Sequence, residues 1–253
     1  MNPIRDLGGN KLNITITDVQ VSEPTVDIDT CKKKELTYDY LTTGNMIHEV
    51  FEQLFNKVID EDIDLKTYTH AQMIKDIDYI FENKLSTEFS NTKKNLLSLK
   101  RTKKVVYRNT QNLIDQLKLG DFKVAHNELE FGNSETSVEK GIEFTIDDKV
   151  KVCLGGKVDR ADICETDDKI YINVVDYKTG TKSFDLEEAK QGINMQLVIY
   201  LKILLEKYKG EKEVVPAGIY LSKINSKYTN KEESLSDTKA DGIFNKAVRR
   251  DCG

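Results

Sequence analysis

The sequence of 253 residues has no tryptophan, only 3 prolines and only 4 cysteines. It contains no run of about 18 apolar residues, so a membrane-spanning helix is not expected. Its first residues, MNPIRDLGGN, lack the apolar core of a secretory signal. The cysteines, Cys31, Cys153, Cys164 and Cys252, have no CxxC spacing, which favours reduced thiols over a disulfide framework or a zinc site. We therefore expect a soluble, cytoplasmic protein with no membrane partner.

The charge balance gives no overall sign of a nucleic-acid partner, because 38 basic and 43 acidic residues leave a net charge of −5. One stretch, residues 92–108, is nevertheless basic and has no acidic residue. Its basic residues are Lys93, Lys94, Lys100, Arg101, Lys103, Lys104 and Arg108. Such a stretch can bind the phosphate backbone of DNA without reading its sequence, although a solvated lysine-rich face is an equally ordinary interpretation.

Apolar residues recur at helical spacing in the first half of the chain, for example Ile47, Phe51 and Phe55. The predicted helices cover residues 44–59, 71–84 and 92–119, and a strand-like stretch precedes them at 12–21. We treat residues 1–43 as an N-terminal segment whose packing the sequence leaves open, and residues 44–253 as one domain.

After Gly120 the pattern changes to short segments rich in β-branched residues, separated by turn residues such as Gly155-Gly156. The predicted strands cover residues 122–131, 142–146, 150–153, 157–164 and 170–177. A helix at 185–208, a strand at 214–221 and a short helix after Asp241 complete the chain. This order predicts an α/β fold in which helices flank a mixed central β-sheet, with an N-terminal helical region.

Two carboxylates stand on consecutive predicted strands, Asp159 and Asp176. Reflection through the turn near Asp167 places them opposite each other to within one residue, and Cβ atoms of opposed residues lie about 5 Å apart. Carboxylates that close repel each other unless a cation lies between them, and Mg²⁺ prefers such oxygen ligands.

Strand alternation places Lys178 on the same face as Asp176, beside this metal position, and points Tyr177 the other way. The lysine can orient the attacking water or stabilise charge on a phosphorane-like transition state. The backbone carbonyl of Tyr177 is a further metal ligand. Surface strands often carry Asp and Lys, so this trio is informative chiefly because the buried segment 172–175 leads into it.

Five motifs follow one another along the chain: GNMIHEVFEQLF, NELEFG, GGKVDRADI, VVDYKTG and QLVIY. This array resembles the RecB-type branch of the PD-(D/E)XK nucleases, and in particular the nuclease domain of the AddB protein of the AddAB helicase–nuclease. The resemblance implies a restriction-endonuclease-like core and a Mg²⁺-dependent deoxyribonuclease, with Mn²⁺ as an alternative metal. It also implies exonuclease action in DNA end processing and recombinational repair, with an AddA-like helicase partner.

The same resemblance assigns roles to individual residues. His48, Asp159 and Asp176 match the metal-binding residues of the family, and Lys178 matches its catalytic lysine. Without the other motifs, His48 would be interpreted as a hydrogen-bonded core residue, because it borders an apolar helix stripe.

An upstream glutamate of the family matches Glu128, with Glu130 as the other register. Gln196 and Tyr200 match the QxxxY signature, and their i, i+4 spacing places both on one helix face, toward the site and the DNA. Lys100, Arg101, Lys103 and Lys104 are the expected contacts to the DNA backbone. Arg160, next to Asp159 on the opposite strand face, is expected to be a structural ion-pair partner.

The family commonly carries an iron–sulfur cluster held by one cysteine before the histidine motif and three clustered ones far downstream. Only Cys31 fits that pattern here, so we do not expect the cluster in this chain. Two alternatives stay open: a phage or mobile-element exonuclease or endonuclease of the same fold, and a non-catalytic DNA-binding scaffold. No GxxxxGK[ST] motif is present, so any ATP-driven unwinding would come from a partner.

Overall fold

Three long helices carry the apolar stripes found in the sequence. In a computed structural model, which describes residues 13–17, 40–85, 93–132, 139–146, 150–178, 183–224 and 241–252, they are α1 (Tyr40–Asp60), α2 (His70–Ile80) and α3 (Lys93–Leu117). A short π-helical turn, Phe81–Leu85, extends α2. The buried residues of these helices, with Val175 and Tyr177, form one apolar core. All three predicted helices are therefore present.

The strands are β1 (Asn13–Thr17), β2 (Lys123–Phe131), β3 (Ile142–Ile146), β4 (Val150–Glu165), β5 (Lys169–Lys178), β6 (Glu213–Lys223) and β7 (Asp241–Phe244). β4 and β5 pair antiparallel, β5 and β6 pair parallel, and β6 and β7 pair antiparallel. The sheet is thus mixed, as predicted. Helices α4 (Leu186–Lys190) and α5 (Gln196–Lys207) precede β6, and α5 packs on β5 and β6.

The chain divides into two compact units. The smaller unit comprises residues 1–37 and 129–157, and in it β1 and β3 each pair antiparallel with the first half of β4. The larger unit comprises residues 38–128 and 158–253. It holds the three long helices, the second half of β4, and β5 to β7, so every candidate catalytic residue lies within it.

Two predicted element boundaries are wrong. Gly155-Gly156 is not a turn, because β4 runs through it without a break. The predicted helix at 185–208 is two helices, because Gly192 and Asn194 adopt positive φ values of 82° and 55° between them, a backbone region that right-handed helices do not use.

The two ends of the chain also depart from the predictions. The strand-like stretch at 12–21 is strand only at Asn13–Thr17, and residues 18–21 lie outside the described residues. After Asp241 the chain first forms strand β7, and a short 3₁₀ helix, Lys246–Arg250, follows. Among the described residues, no helix combines the length and the apolar character needed to cross a membrane.

The expectation of reduced thiols is wrong for one pair, because Cys164 and Cys252 form a disulfide. Cys164 lies near the end of β4 and Cys252 follows the 3₁₀ helix, and their Cα atoms are 6.2 Å apart although 88 positions separate them. Tyr171, Ala217 and Val248 pack around the bond. Cys153 is a free, buried thiol, and Cys31 lies outside the described residues.

Candidate active site

The pairing of β4 with β5 brings the two predicted carboxylates together. Arg160 pairs with Val175 at the end of the ladder, so the next step along both strands aligns Asp159 with Asp176, as the sequence predicted. Asp159 does not pair further into the ladder. Its Oδ2 instead accepts a hydrogen bond of 2.7 Å from the backbone N–H of Tyr177, which ties the first acidic strand to the second at the site.

Helix α1 and strand β2 bring two more ligand types to the same point. His48 Nδ1 lies 3.9 Å from Glu128 Oε1 and 4.0 Å from Asp159 Oδ2. One ligand atom from each of these three residues lies within 4.8 Å of the others. All three side chains are partly exposed, so solvent and a substrate can reach them. We call His48, Glu128 and Asp159 the acidic triad.

Glu128 reaches the triad through an unusual backbone conformation. Its φ is 53°, in the left-handed region that non-glycine residues enter at a cost of about 1–3 kcal/mol. Strained residues of this kind cluster at functional sites. Of the two sequence registers, the structure places Glu128 in the group of possible ligands among the described residues. Nothing in the sequence signals a left-handed residue inside a strand.

The site is an acidic cluster with little water around it. Burial and the nearby charge of Asp176 raise the pKa of Asp159 to about 7. Burial also raises the pKa of Asp176, against the attraction of Lys178. Burial opposes the charge on His48, but the carboxylates of Glu128 and Asp159 outweigh it and raise the pKa of the imidazole. The site therefore holds more negative charge than its surroundings stabilise, which is the condition that a bound cation relieves.

Asp176 connects the triad to the predicted lysine and to the QxxxY helix. It is 1% exposed, and its Oδ2 lies 2.7 Å from Lys178 Nζ. Gln196 Nε2 lies 3.4 Å from Asp176 Oδ1 and donates to the Tyr200 hydroxyl over 2.5 Å. Tyr200 is 1% exposed. Both QxxxY residues thus lie on one face of α5 and meet at Asp176, and their contact with DNA stays a prediction.

Tyr177 points away from Lys178, as strand alternation requires, into the core against Phe51. Its hydroxyl accepts a hydrogen bond from Arg160, which is paired with the buried Asp162. The sequence indicated Arg160 as an ion-pair partner but did not identify Asp162, since a carboxylate on a strand has no signal of its own for burial.

The basic stretch lies on α3. Lys100, Arg101 and Lys104 are exposed, as a phosphate-binding face requires. Lys103 instead lies 2.5 Å from Asp78 and sits over the Phe81 ring, which gives it a structural partner on α2. The side chains of Lys93 and Lys94 lie outside the described part of the chain.

This arrangement, two carboxylates at adjacent strand ends and a lysine two positions after the second, agrees with the family comparison. Residues 28–250 match the model of the PD-(D/E)XK nuclease superfamily. The chain belongs to this superfamily. A PD-(D/E)XK nuclease is named for an acidic residue followed, further along the chain, by an Asp or Glu and a Lys with one residue between them. Here that pattern is Asp159, Asp176 and Lys178.

Several relatives of this nuclease chain are named as the B-type subunit of an ATP-dependent helicase/deoxyribonuclease. The protein from Clostridium novyi is 28% identical over 97% of the chain and 23% of its own length. The proteins from Clostridium perfringens and Clostridium tetani are 26% and 34% identical over 77% and 55% of the chain, and 17% and 12% of their own lengths. The chain thus spans less than a quarter of these relatives.

Proposed function

We propose that this chain is a Mg²⁺-dependent nuclease that hydrolyses phosphodiester bonds in DNA, and that Mn²⁺ can replace Mg²⁺. The observation that carries the proposal is the convergence of the acidic triad with Asp176 and Lys178 at one end of β5. Each of these residues comes from a different motif or strand, and structural packing alone does not require three carboxylates and a histidine at one point.

The donor set fits a hard divalent cation. Two carboxylates and an imidazole within 4.8 Å suit Mg²⁺ or Mn²⁺ better than a soft metal, which would select thiolates. His48, Glu128, Asp159 and, next to them, Asp176 would hold the ion, with the Tyr177 carbonyl as a further oxygen donor. When bound, the cation polarises the phosphate and lowers the pKa of an attacking water.

The remaining groups of the site act on the substrate and on one another. The Lys178 ammonium, held 2.7 Å from Asp176, stabilises negative charge that builds on the phosphate oxygens and orients the water. Gln196 and Tyr200 keep the Asp176 carboxylate in one orientation, and we expect Gln196 to approach the DNA backbone as well. Such preorganised donors are among the largest contributions to enzymatic rate.

We propose that the exposed face of α3 binds the DNA backbone through Lys100, Arg101 and Lys104. Each phosphate contact that is lost lowers the slope of log K against log salt by about 0.7–0.9. Lys104→Gln is therefore expected to weaken binding of single- and double-stranded DNA to a similar degree and to reduce that slope. Lys103→Gln is the matched control, because Lys103 is held by Asp78, and it should change the slope less.

We propose the cellular setting from the names of the relatives alone. A helicase/deoxyribonuclease component suggests DNA end processing and recombinational repair in the cytoplasm, exonuclease action, and an AddA-like helicase partner. Within this chain, we propose residues 44–253 as the nuclease domain.

The test uses purified protein, labelled linear single- and double-stranded DNA, and Mg²⁺ or Mn²⁺. Wild-type protein should degrade DNA, whereas Asp176→Asn and Lys178→Met should not. Asp251→Asn, at the opposite end of the sheet beside Tyr171, is the matched control and should retain activity. Equal degradation by all four proteins would mean that the activity does not belong to this site. Degradation of linear DNA while a closed plasmid survives would identify an exonuclease.

A further inference from the structure

A buried ion pair lies directly behind the acidic triad, and the proposed reaction does not use it. Arg160 and Asp162 are 5% and 3% exposed. Arg160 Nε lies 2.8 Å from Asp162 Oδ1, and Nη2 donates to Oδ2 over 3.0 Å. This is a two-pronged fork, the geometry in which a guanidinium and a carboxylate hold each other most rigidly. Buried pairs of this kind add little net stability compared with apolar residues of similar volume, so stability alone does not account for it.

The free prong of the fork holds one tyrosine. Arg160 Nη1 donates to the Tyr177 hydroxyl over 2.9 Å. The guanidinium carbon also lies 5.2 Å from the centre of the Phe55 ring and 5.6 Å from that of Tyr177, so the cation is packed between two aromatic side chains. The guanidinium cannot turn without breaking the fork, and the tyrosine hydroxyl is therefore fixed in position.

Tyr177 in turn touches the triad at two separate points. Its backbone N–H donates to Asp159 Oδ2, and its ring stands edge-on to His48, with ring centres 5.8 Å apart and planes at 77°. One residue thus sets the orientation of a carboxylate through its backbone and of an imidazole through its side chain. Asp176 and Lys178 flank it in sequence, so a shift of Tyr177 moves them too.

We propose that Arg160 and Asp162 are positioning residues that, by fixing the Tyr177 side chain, hold His48 and Asp159 in the orientation needed to bind a divalent cation. The inference rests on the proposed function. Groups that bind a metal must be held to within about 0.5 Å and 10–20° of the productive geometry. Loss of the residues that orient them typically lowers metal affinity or activity 10–100-fold.

The first variant is Tyr177→Phe, which deletes one oxygen and keeps the ring against His48 and Phe51. The expected result is a roughly tenfold weaker affinity of the metal-free protein for Mn²⁺, measured by calorimetry. With labelled DNA, kcat should fall by a similar factor while KM stays within about twofold, because no DNA contact is changed. Tyr68→Phe is the matched control, since Tyr68 is a buried tyrosine whose hydroxyl donates to the carboxylate of Asp76 away from the site. It should leave Mn²⁺ affinity unchanged.

The second variant separates positioning from folding. Arg160→Met with Asp162→Leu replaces both charges by apolar groups of similar volume, which is expected to leave the melting temperature nearly unchanged. If the pair is only structural, this protein will bind Mn²⁺ as tightly as wild type, and the inference is overturned. If the pair positions Tyr177, Mn²⁺ affinity falls about tenfold at an unchanged melting temperature.

A third measurement asks whether the effect passes through His48. In a His48→Ala background, Tyr177→Phe should weaken Mn²⁺ binding by less than it does in wild type, because one of the two groups it orients is gone. Full additivity of the two losses would contradict the proposed route. The wild-type result keeps the two hypotheses apart. Wild-type protein that neither binds Mn²⁺ nor cleaves DNA overturns the nuclease assignment, whereas active wild type with unaffected variants overturns only the positioning role.

Discussion

Replacing Asp159 by asparagine should stabilise the metal-free protein while abolishing its metal binding. The carboxyl is buried beside Asp176 and Glu128, which raises its pKa to about 7, compared with about 3.9 in an unfolded chain. The folded state therefore binds the proton more tightly than the unfolded state does. The stability contributed by the protonated carboxyl is fully present below about pH 4 and is lost as the pH rises through about 7.

The size of the effect follows from the shift. Roughly three pKa units at 1.36 kcal/mol each give a ceiling of about 4 kcal/mol near pH 8. The substitution also removes the attraction between Asp159 and His48, which works in the opposite direction. We therefore expect Asp159→Asn to gain about 1–3 kcal/mol near pH 8 and almost nothing near pH 4. For a chain of this size, the gain near pH 8 is a rise in melting temperature of about 3–9 °C.

The assay is thermal unfolding in EDTA across this pH range, followed by the same series in Mg²⁺. Asp162→Asn is the matched control, because it leaves the Arg160 cation buried without its fork partner and should cost about 3–5 kcal/mol. Mg²⁺ at about 100 times its Kd should stabilise wild type by about 2.7 kcal/mol and leave Asp159→Asn unchanged. An Asp159→Asn protein that is no more stable than wild type near pH 8 would refute the reasoning.

Three further predictions concern other parts of the molecule. Lys178→Met should lower kcat at least about 100-fold, because it removes a preorganised charge, yet retain Mn²⁺ binding by calorimetry; loss of binding would mean that the lysine mainly supports the carboxylates. Glu128→Gln should weaken Mn²⁺ binding about tenfold, whereas Glu130→Gln should not, and the reverse result would assign the other register. Cys164→Ser should destabilise the oxidised protein by about 2–4 kcal/mol, because Cys164 and Cys252 close a long loop, and reductant should bring wild type to the same melting temperature; a wild-type protein insensitive to reductant would contradict the disulfide.

The main elements of the fold could be predicted because their signals are local. The helical stripe of α1 and the short β-branched segments after Gly120 are periodic in the sequence, and they correspond to α1 and to β2 to β5. The facing of Asp159 and Asp176 followed from a turn and strand alternation, and the register confirms it.

The departures have causes that the sequence does not display. Gly155-Gly156 continues a strand because neighbours on both sides of β4 pair with it, whereas glycine pairs in isolation favour turns. The positive φ of Glu128 and Asn194 depends on tertiary contacts, since neither residue type requires it. The pairing of Cys164 with Cys252 depends on where the 3₁₀ helix docks, across 88 positions of sequence.

The most direct test of the metal centre is a crystal soaked in Mn²⁺ and measured by anomalous scattering. The account predicts an anomalous peak within about 2.0–2.3 Å of ligand atoms from His48, Glu128 and Asp159, with Asp176 nearby. A soaked crystal with no peak at this cluster, or with its Mn²⁺ bound elsewhere on the protein, would contradict the central claim.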